Sequence, residues 1–396
     1  MNVILFDNES VVHLYPLTLT RSAADLRCGI LTIAEKWEKI FNSSVSQIAQ
    51  PHLLVKYKPI ITIDNYFING KLLPSEVIVE AIRNLNIGEA LVYQDEILAY
   101  RNETPISEFS NQITISEANL IHRAHHIFTY NASEIKNDFV LITANRKSEV
   151  LSKTNVCIGA HPIFLEEGVK AEAAIFNTSE GPIYLAKDSE VMEGAMIRGP
   201  FALCEHATVK MGAKIYSATT IGPHSKVGGE VSNSIIFGFS NKGHDGFLGN
   251  SVLGEWCNLG ADTNNSNLKN NYEDVKLWNY TLNSFERTGL QFCGLIMGDH
   301  SKCGINTMFN TGTVIGVSAN IFGSGFPRNF VPSFSWGGSS GFETYKPLKA
   351  FATAEKVMQR RGLILSETEK NILNYIFELE SNYRSWERGE KLKMNN

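Results

Sequence analysis

The stretch LAKDSEVMEGAMIRGPFALCEHATVKMGAKIYSATTIGPHSKV, from Leu185 to Val227, places an aliphatic residue at every sixth position. A small or hydroxylic residue follows four positions later in nearly every unit, and Phe201 is the exception. A second run in the same phase begins after an interruption and extends from Met297 to Ile321. This periodicity is typical of a hexapeptide-repeat β-helix.

Six residues are enough for one short strand and one tight corner, so three units close one triangular coil. Residues one coil apart then stack at the strand spacing of about 4.8 Å, and the aliphatic positions face inward. We therefore predict continuous apolar columns along the axis. One column is predicted to hold Leu185, Leu203 and Ile221, a second Val191, Val209 and Val227, and a third Ile197 and Ile215.

The composition limits the classes of function. A chain of 396 residues with 43% hydrophobic residues is long enough for two or three domains with full cores. Its net charge of −5 predicts no nucleic-acid partner and no binding to an anionic membrane. No stretch approaches a membrane span, and the N-terminal apolar run is too short for a signal peptide. The six cysteines form no CxxC pair, which indicates reduced thiols and a cytoplasmic location.

Residues 1–155 have the pattern of an α/β domain. The apolar run from Val3 to Phe6 predicts a buried strand, and the stretch 89–101 predicts a strand or a hairpin. Apolar spacing predicts one helix from Ala23 to Ile40 and a second from Val77 to Leu85.

The repeat pattern predicts a β-helix over residues 156–330. It breaks at 232–247 and at about 262–290, where we expect loops that project from a rigid shaft. Loops on rigid scaffolds carry a large share of functional residues. Residues 321–345 are rich in glycine, serine and aromatic residues and are predicted to be irregular.

The segment 345–396 is predicted to hold two helices, from Lys349 to Arg360 and from Ser366 to Arg384. Ser366 and Glu369 have the spacing of a capping box, which satisfies main-chain amides at a helix start. The second helix is expected to dock on the shaft or on another subunit through Leu373, Ile376 and Leu379.

The segment 241–267, NKGHDGFLGNSVLGEWCNLGADTNNSN, resembles one half of a two-activity enzyme family. That half is the acetyltransferase part of the bifunctional N-acetylglucosamine-1-phosphate uridyltransferase/glucosamine-1-phosphate acetyltransferases. Residues 288–316 resemble the coils that continue archaeal-type members, and the whole chain resembles a bacterial group of relatives. The resemblance implies left-handed coils. The matched positions are His244, Gly249, Gly254, Asn258, Gly260, Ala261, Thr263 and Asn267.

The resemblance implies that His244 is the general base that takes a proton from the amine of an amino sugar. An imidazole titrates near neutral pH and suits this role, although a lone loop histidine can also be a solvated surface residue. The resemblance also implies acetyl-CoA as the acyl donor, with Gly260, Ala261 and Thr263 beside its pantetheine arm. It further implies a homotrimer around the β-helix axis.

The acceptor site departs from the family pattern. Asn258 and Asn267 would hold the acceptor, or would be ladder and corner residues, and Phe247 stands where the family has a tyrosine. The family's phosphate-binding Arg and Lys fall at Tyr216 and Ser232. A charged phosphate needs charged partners, so either the acceptor differs from glucosamine 1-phosphate or the activity is altered or lost. Lysines that could substitute are Lys214, Lys226 and Lys242.

Pro16-Leu17-Thr18 is similar to the Pro-Leu-Thr of nucleotide-sugar pyrophosphorylases, which implies a truncated nucleotidyltransferase-like domain. The glycine-rich phosphate loop and the Pro-Lys of those enzymes are missing. Thr18, Arg21 and Arg27 are the candidate phosphate contacts, and the alternative is that the arginines are surface or salt-bridged residues. Mg²⁺ could assist this domain, with Asp7 as a candidate ligand.

The triplet His122, His125 and His126 has no acidic or thiol residue spaced to complete a metal site, so no metal is predicted there. Three hypotheses for the whole chain stay open. The first is CoA-dependent acyl transfer to the amine of an amino-sugar phosphate or a nucleotide sugar. The second is nucleotidyl transfer by the N-terminal domain, and the third is a non-catalytic trimer that binds sugar nucleotides.

Overall fold

A computed structural model describes residues 1–387, and its N-terminal part is a six-stranded sheet with three α-helices. Three neighbouring strands are parallel, Glu96–Asn102 is antiparallel to both of its neighbours, and the edge strand Asn111–Thr114 is parallel to the strand beside it. The helices are α1 (Ile33–Phe41), α2 (Glu76–Arg83) and α3 (His126–Thr143). The spatial strand order is Val45–Ile48, Asn2–Phe6, Asn65–Asn69, Glu96–Asn102, Glu89–Tyr93 and Asn111–Thr114. A small ladder pairs Leu72–Leu73 with Asn119–Leu120. Short 3-10 turns are Glu9–Leu14, Ala23–Asp25 and Pro51–Leu53.

The predicted opening strand, the helix after Val77 and the hairpin are confirmed, but the helix predicted from Ala23 is wrong in its first half. Helix α1 begins only at Ile33, because Thr32 and Glu35 form a capping box at that point. Before it, Gly29 adopts a positive φ of 92° that no helix accommodates. Helix α3 was not predicted, because buried polar residues interrupt its apolar spacing; they are Asn131, Glu134 and Asp138.

The second part of the chain is a parallel β-helix with three faces, which confirms the predicted architecture. The first face contains Ile163–Leu165, Ile183–Leu185, Phe201–Leu203, Thr219–Ile221, Ile235–Ile236, Val252–Leu253, Leu295–Met297, Thr313–Ile315 and Phe330–Val331. The second face contains Lys170–Ala171, Glu190–Val191, Thr208–Val209, Lys226–Val227, Asn241–Lys242, Asn258–Leu259, Lys302–Cys303, Asn320–Ile321, Ser335–Gly338 and the antiparallel Gly341–Thr344. The third face contains Val156–Ile158, Ile175–Asn177, Met196–Arg198, Lys214–Ile215, Glu230–Ser232 and Phe247–Gly249, followed by the pair Asn264–Asn265 and Met308–Phe309.

The predicted columns are present in the strand register. Leu185 pairs with Leu203, which pairs with Ile221 in the next coil. The valine column and the column of Ile197 and Ile215 have the same one-coil register. All these side chains are buried in one cluster along the axis, and burial of each contributes roughly 1.5–3 kcal/mol. The columns are therefore the main source of stability in this part of the chain.

The two predicted breaks behave differently. Residues 232–247 form no projecting loop, because Ile235–Ile236 and Asn241–Lys242 keep the parallel register in a shortened coil. The second break does project, as a hairpin of Lys276–Asn279 and Ser284–Arg287. The irregular structure predicted after Ile321 is wrong, since the ladders continue through 335–338.

The C-terminal helices α4 (Pro347–Gln359) and α5 (Glu367–Leu379) dock on the chain's own β-helix, and the 3-10 turn Ser381–Tyr383 follows. The capping box of Ser366 and Glu369 is confirmed. Leu373 and Ile376 are buried as predicted, whereas Leu379 is exposed. The predicted C-terminal segment also includes residues 388–396, which lie outside the described residues. Within residues 1–387, no helix is long and apolar enough to span a bilayer.

The N-terminal sheet and the β-helix share one apolar core. Leu5 and Ile68 of the sheet belong to the same buried cluster as Val252, Ile296 and Val314 of the first face. Helix α3 lies against that face. The division into domains at residues 155 and 156 stays a prediction, because the two parts bury each other's surfaces.

Candidate active site

A cleft of about 920 Å³ lies between the second face of the β-helix and helix α4. Its floor includes an outward row in which Lys226, Asn241, Asn258 and Lys302 occupy equivalent positions of successive coils. Helix α4 contributes Thr353 and Val357, and Arg360 and Arg361 follow the helix. The cleft therefore has a rigid floor and a helical wall.

The cleft is strongly cationic. Among the described residues that line it, none is a carboxylate, whereas five are lysine or arginine. Burial lowers the pKa of Lys302, and burial together with Arg361 lowers the pKa of Lys226. Besides burial, the charges of Arg361, Lys210 and Arg360 all lower the pKa of Lys226, so the cleft fits a ligand with several negative charges. The five cations are Lys210, Lys226, Lys302, Arg360 and Arg361.

His244 lies where this cleft meets a second cleft of about 530 Å³. Ala261 lines both clefts as well, and the smaller one also contains Asp245 and Asp262. The imidazole of His244 is exposed, and it makes no hydrogen bond to any residue in 1–387. The imidazole is therefore accessible to a group bound in either cleft.

Lys242 was predicted as a substrate contact, but the structure places it inside the β-helix. Its register partner is Val227 of an inward column, and only 2% of Lys242 is exposed. Its ammonium donates a hydrogen bond to the main-chain carbonyl oxygen of His244, with an Nζ–O distance of 2.5 Å. Burial lowers the pKa of Lys242 to about 8. Lys242 therefore supports the turn that carries His244.

The other predicted site residues divide into two groups. Asn258, Gly260 and Ala261 line the large cleft together with His244. Thr263 is buried and donates its hydroxyl hydrogen to the Gly260 carbonyl oxygen over 2.7 Å, so it supports the corner instead of facing a ligand. Asn267 and Phe247 also line neither cleft. The Asn267 amide donates to the Asn250 side-chain oxygen, and Phe247 belongs to the third face.

The three predicted phosphate contacts are engaged inside the protein. Thr18 is buried and donates to the Val11 carbonyl oxygen over 3.1 Å. Arg21 pairs with Asp299 and with Glu255, the latter over 3.3 Å, and so joins the N-terminal part to the β-helix. The guanidinium of Arg27 donates to the Ile30 carbonyl oxygen and pairs with Glu35 over 3.4 Å. These contacts favour the interpretation of salt-bridged structural arginines.

The residues around Asp7 do not fit a magnesium ion. One carboxylate oxygen of Asp7 accepts hydrogen bonds from the Ser22 hydroxyl and the Ala23 amide, and the other is buried without a hydrogen-bond partner among the described residues. Burial raises the pKa of Asp7 to about 6, which disfavours the ionised form that Mg²⁺ binds. The nearby Asp25 accepts from Gln47 and from the Tyr57 hydroxyl. In residues 1–387, no group of three His, Cys, Asp or Glu side chains could hold a metal.

The histidine triplet lies at the start of helix α3. The rings of His125 and His126 pack edge to face with centroids 4.8 Å apart. Burial lowers the pKa of His125 to about 3, so this ring is neutral under ordinary conditions. His122 faces Glu96 across 3.5 Å.

Of the five cations that line the cleft, only Lys226 was among the residues predicted from the sequence. Lys302 is one position before the inward Cys303, as Lys226 is before Val227, so the outward row could have been found by following the repeat. No repeat places Arg360 and Arg361, because only the docking of α4 brings them to the cleft. Of the positions that lack the family's charges, Tyr216 lies on the third face beside Lys214 in a separate shallow cleft.

Comparison with known proteins places this geometry in context. Residues 3–147 match a protein family described as sugar nucleotidyl transferase. The chain is 33% identical over 118 residues to the bifunctional protein GlmU of Methanocaldococcus jannaschii, covering 30% of this chain and 26% of that protein. It is 23% identical over 255 residues to the bifunctional sugar-1-phosphate nucleotidylyltransferase/acetyltransferase of Sulfurisphaera tokodaii, covering 63% and 58%. The predicted resemblance to the bifunctional family is confirmed, although these two relatives are archaeal.

The chain spans between about a quarter and three fifths of the length of these two relatives. A solved structure, that of the polySia specific acetyltransferase NeuO, is 14% identical and has a TM-score of 0.28. The match covers 49% of this chain and 87% of that one.

Proposed function

We propose that this chain transfers an acyl group from an acyl-CoA to the amine of an amino-sugar phosphate or a nucleotide sugar. The observation that carries the proposal is the position of His244, an exposed imidazole at the junction of a cationic cleft and a second, mixed-charge cleft. Both archaeal relatives are described as bifunctional, and the printed name of the Sulfurisphaera protein includes an acetyltransferase activity.

His244 would act as the general base. The acceptor nitrogen forms a bond to the thioester carbonyl carbon, while His244 takes the proton that this nitrogen loses. The carbon–sulfur bond then breaks, and the departing CoA sulfur receives the proton. Positioned bases of this kind contribute about 10²–10⁴-fold to a rate. The hydrogen bond from Lys242 to the His244 carbonyl oxygen holds the turn in place during the transfer.

The large cleft would hold CoA, which supplies the acyl group as a thioester. Its phosphates suit the five cations, and Gly260 and Ala261 have no bulky side chains to obstruct a pantetheine arm. The acceptor would lie in the smaller cleft, where Asp245 and Asp262 can attract an ammonium group and Lys210 a phosphate. Lys214 stays an alternative phosphate partner, since it lines the cleft beside Tyr216.

The enzyme would be a homotrimer in the cytoplasm. Helix α3 covers part of the first face of the β-helix and α4 borders the cleft on the second, whereas the third face exposes an apolar row of Val156, Ile175 and Met196. An exposed apolar row of this kind fits a subunit interface. All six cysteines are free thiols, which suits a reducing compartment.

Release of the CoA thiol from acetyl-CoA tests the proposal, with a panel of amino-sugar phosphates and UDP-amino sugars as acceptors. We expect one acceptor to support release, and His244→Ala to lower kcat by about 10²–10⁴-fold while calorimetry shows unchanged CoA binding. His161→Ala changes an exposed histidine outside both clefts and is the matched control. Equal rates for wild type and His244→Ala would refute the proposal.

A second candidate is nucleotidyl transfer, because the family match covers the N-terminal part. Pyrophosphate release from UTP and a sugar 1-phosphate measures this activity directly. The internal contacts of Thr18, Arg21 and Arg27 argue against nucleotidyl transfer. If neither assay detects activity, the non-catalytic trimer that binds sugar nucleotides is the remaining alternative.

A further inference from the structure

The hairpin of residues 276–287 has two different faces. Leu277 faces inward and is buried in the core shared with the N-terminal sheet, and Glu286 on the same side pairs with Arg123 over 3.3 Å. Because side chains alternate along a strand, the outer face carries the cross-strand pairs on the opposite side. These pairs are Trp278 with Phe285 and Lys276 with Arg287.

The outer face forms one wall of a groove of about 670 Å³. Trp278 stacks on Phe330 with ring centroids 4.3 Å apart, and the Phe285 ring meets Trp278 edge to face at 5.3 Å. Phe285 is 41% exposed, so a flat aromatic surface faces the solvent. The remaining residues that line the groove are Lys269, Lys276, Thr311, Arg328 and Asn329.

The charge around the rings is positive and uncompensated. Lys276 lies directly opposite Arg287 in the hairpin register, and like charges in this arrangement destabilise a strand pair. Throughout residues 1–387, neither of these two cations nor Arg328 has a carboxylate within ion-pair distance, and the described lining of the groove contains no Asp or Glu. Lys269, the remaining cation of the groove, pairs with Glu273 over 4.0 Å, so among the described residues the cations of this surface without a counter-charge are Lys276, Arg287 and Arg328.

We propose that this groove binds a nucleoside phosphate. The base would stack on the exposed ring of Phe285 with its edge toward Trp278, since every base has a flat face that stacks on aromatic rings. The phosphates would contact Lys276 and Arg328, and the Asn329 amide can hydrogen-bond to the base or the ribose. The groove shares no lining residue with the two clefts at His244, so this site is independent of acyl transfer.

Isothermal titration of the full chain with UDP and ADP tests the site, with uridine and inorganic pyrophosphate as part-ligands. We expect at least one nucleotide to bind, and each part-ligand to bind at least about tenfold more weakly. The double variant Lys276→Glu/Arg328→Glu should weaken binding at least about tenfold, and Phe285→Ala about five- to 100-fold. Lys153→Glu, an exposed charge reversal outside the groove, should leave the affinity unchanged.

Several results would overturn the proposal: no binding of either nucleotide, equal binding of pyrophosphate, or full affinity in both groove variants. Loss of binding in Arg360→Glu/Arg361→Glu instead would place the nucleotide in the large cleft and equally refute the groove. The melting temperature of each variant establishes that it is folded. If Lys276→Glu/Arg328→Glu does not fold, Lys276→Gln/Arg328→Gln takes its place. A silent acyl-transfer assay would leave these results unaffected.

Discussion

The ammonium of Lys242 donates a hydrogen bond from inside the β-helix to the main-chain carbonyl oxygen of His244, across 2.5 Å. Lys242 occupies a position of the inward column that Val227 fills one coil earlier. A charged group in an apolar column costs stability, because burial disfavours the charged form. Lys242 therefore supports the turn of His244 but lowers the stability of the β-helix core.

Replacing this lysine by methionine should stabilise the protein and impair its activity. At pH 7 we expect Lys242→Met to raise the free energy of unfolding by about 2 kcal/mol, because it removes a buried charge. The same variant should lower kcat for acyl transfer about tenfold, because the turn of His244 loses its internal hydrogen bond. Urea unfolding and initial rates measure the two effects.

The stability gain should depend on pH. The pKa of Lys242 is lowered to about 8 in the folded chain from an ordinary value of 10.5, so the unfolded chain binds more protons between these values. Stability of the wild type then rises through this range as the penalty disappears. The difference between Lys242→Met and wild type should be largest below pH 8 and small above pH 10.5. A difference that is constant over that range would contradict a buried charged lysine.

Charge reversal beside helix α4 should weaken binding of CoA. In Arg360→Glu/Arg361→Glu we expect the Kd for CoA to rise about 10- to 100-fold, because two cations that face the cleft become anions. The variant should also show a weaker dependence of Kd on salt. Calorimetry at two ionic strengths measures both quantities, and Lys153→Glu is the control. An unchanged Kd would show that the phosphates bind elsewhere.

Arg21 should be important for stability and unimportant for ligand binding. Its partners Asp299 and Glu255 belong to the β-helix, and Arg21 and Asp299 are both buried. Removing one member of a buried ion pair costs about 3–5 kcal/mol, so Arg21→Met should lower the free energy of unfolding by that amount.

The double variant Arg21→Met/Asp299→Asn should recover part of the lost stability, because the uncompensated carboxylate is gone. Titration with UTP at a temperature where Arg21→Met is still folded gives the second measurement. If the wild type binds UTP and the folded Arg21→Met variant does not, Arg21 is a phosphate contact and the structural interpretation is wrong.

The inward columns should be sensitive to truncation. Leu203→Ala removes a fully buried side chain that stacks between Leu185 and Ile221, and we expect a loss of about 2–5 kcal/mol. Met211→Ala changes an exposed side chain of a neighbouring unit and should alter stability by less than about 0.5 kcal/mol. Equal urea midpoints for the two variants would contradict the column assignment.

The columns were predictable because equivalent positions in successive coils of a regular repeat face the same direction. Once Leu185 is assigned inward, Leu203 and Ile221 follow from spacing alone. His244, Asn258 and Ala261 were chosen from the family resemblance and not from the repeat spacing, and the structure places all three around one cleft.

Contacts between distant segments were not predictable in this way. Arg21 and Asp299 are separated by 278 positions, and no local pattern records that they meet. The role of Lys242 depends on a shortened coil that turns an apparently exposed lysine inward. Helix α3 was missed because Asp138 and Glu134 are buried as partners of Lys36, a pairing that apolar spacing does not reveal.

The core shared by the sheet and the β-helix cannot be completed until the late coils of the β-helix have been synthesised. The sheet residues Leu5 and Ile68 leave the ribosome well before Val314, which helps to cover them, has been made. At roughly 5–20 residues per second, translation from Ile68 to Val314 takes on the order of tens of seconds. During that interval the nascent N-terminal segment presents apolar surface to the cell, and we expect it to depend on chaperones until the coils arrive.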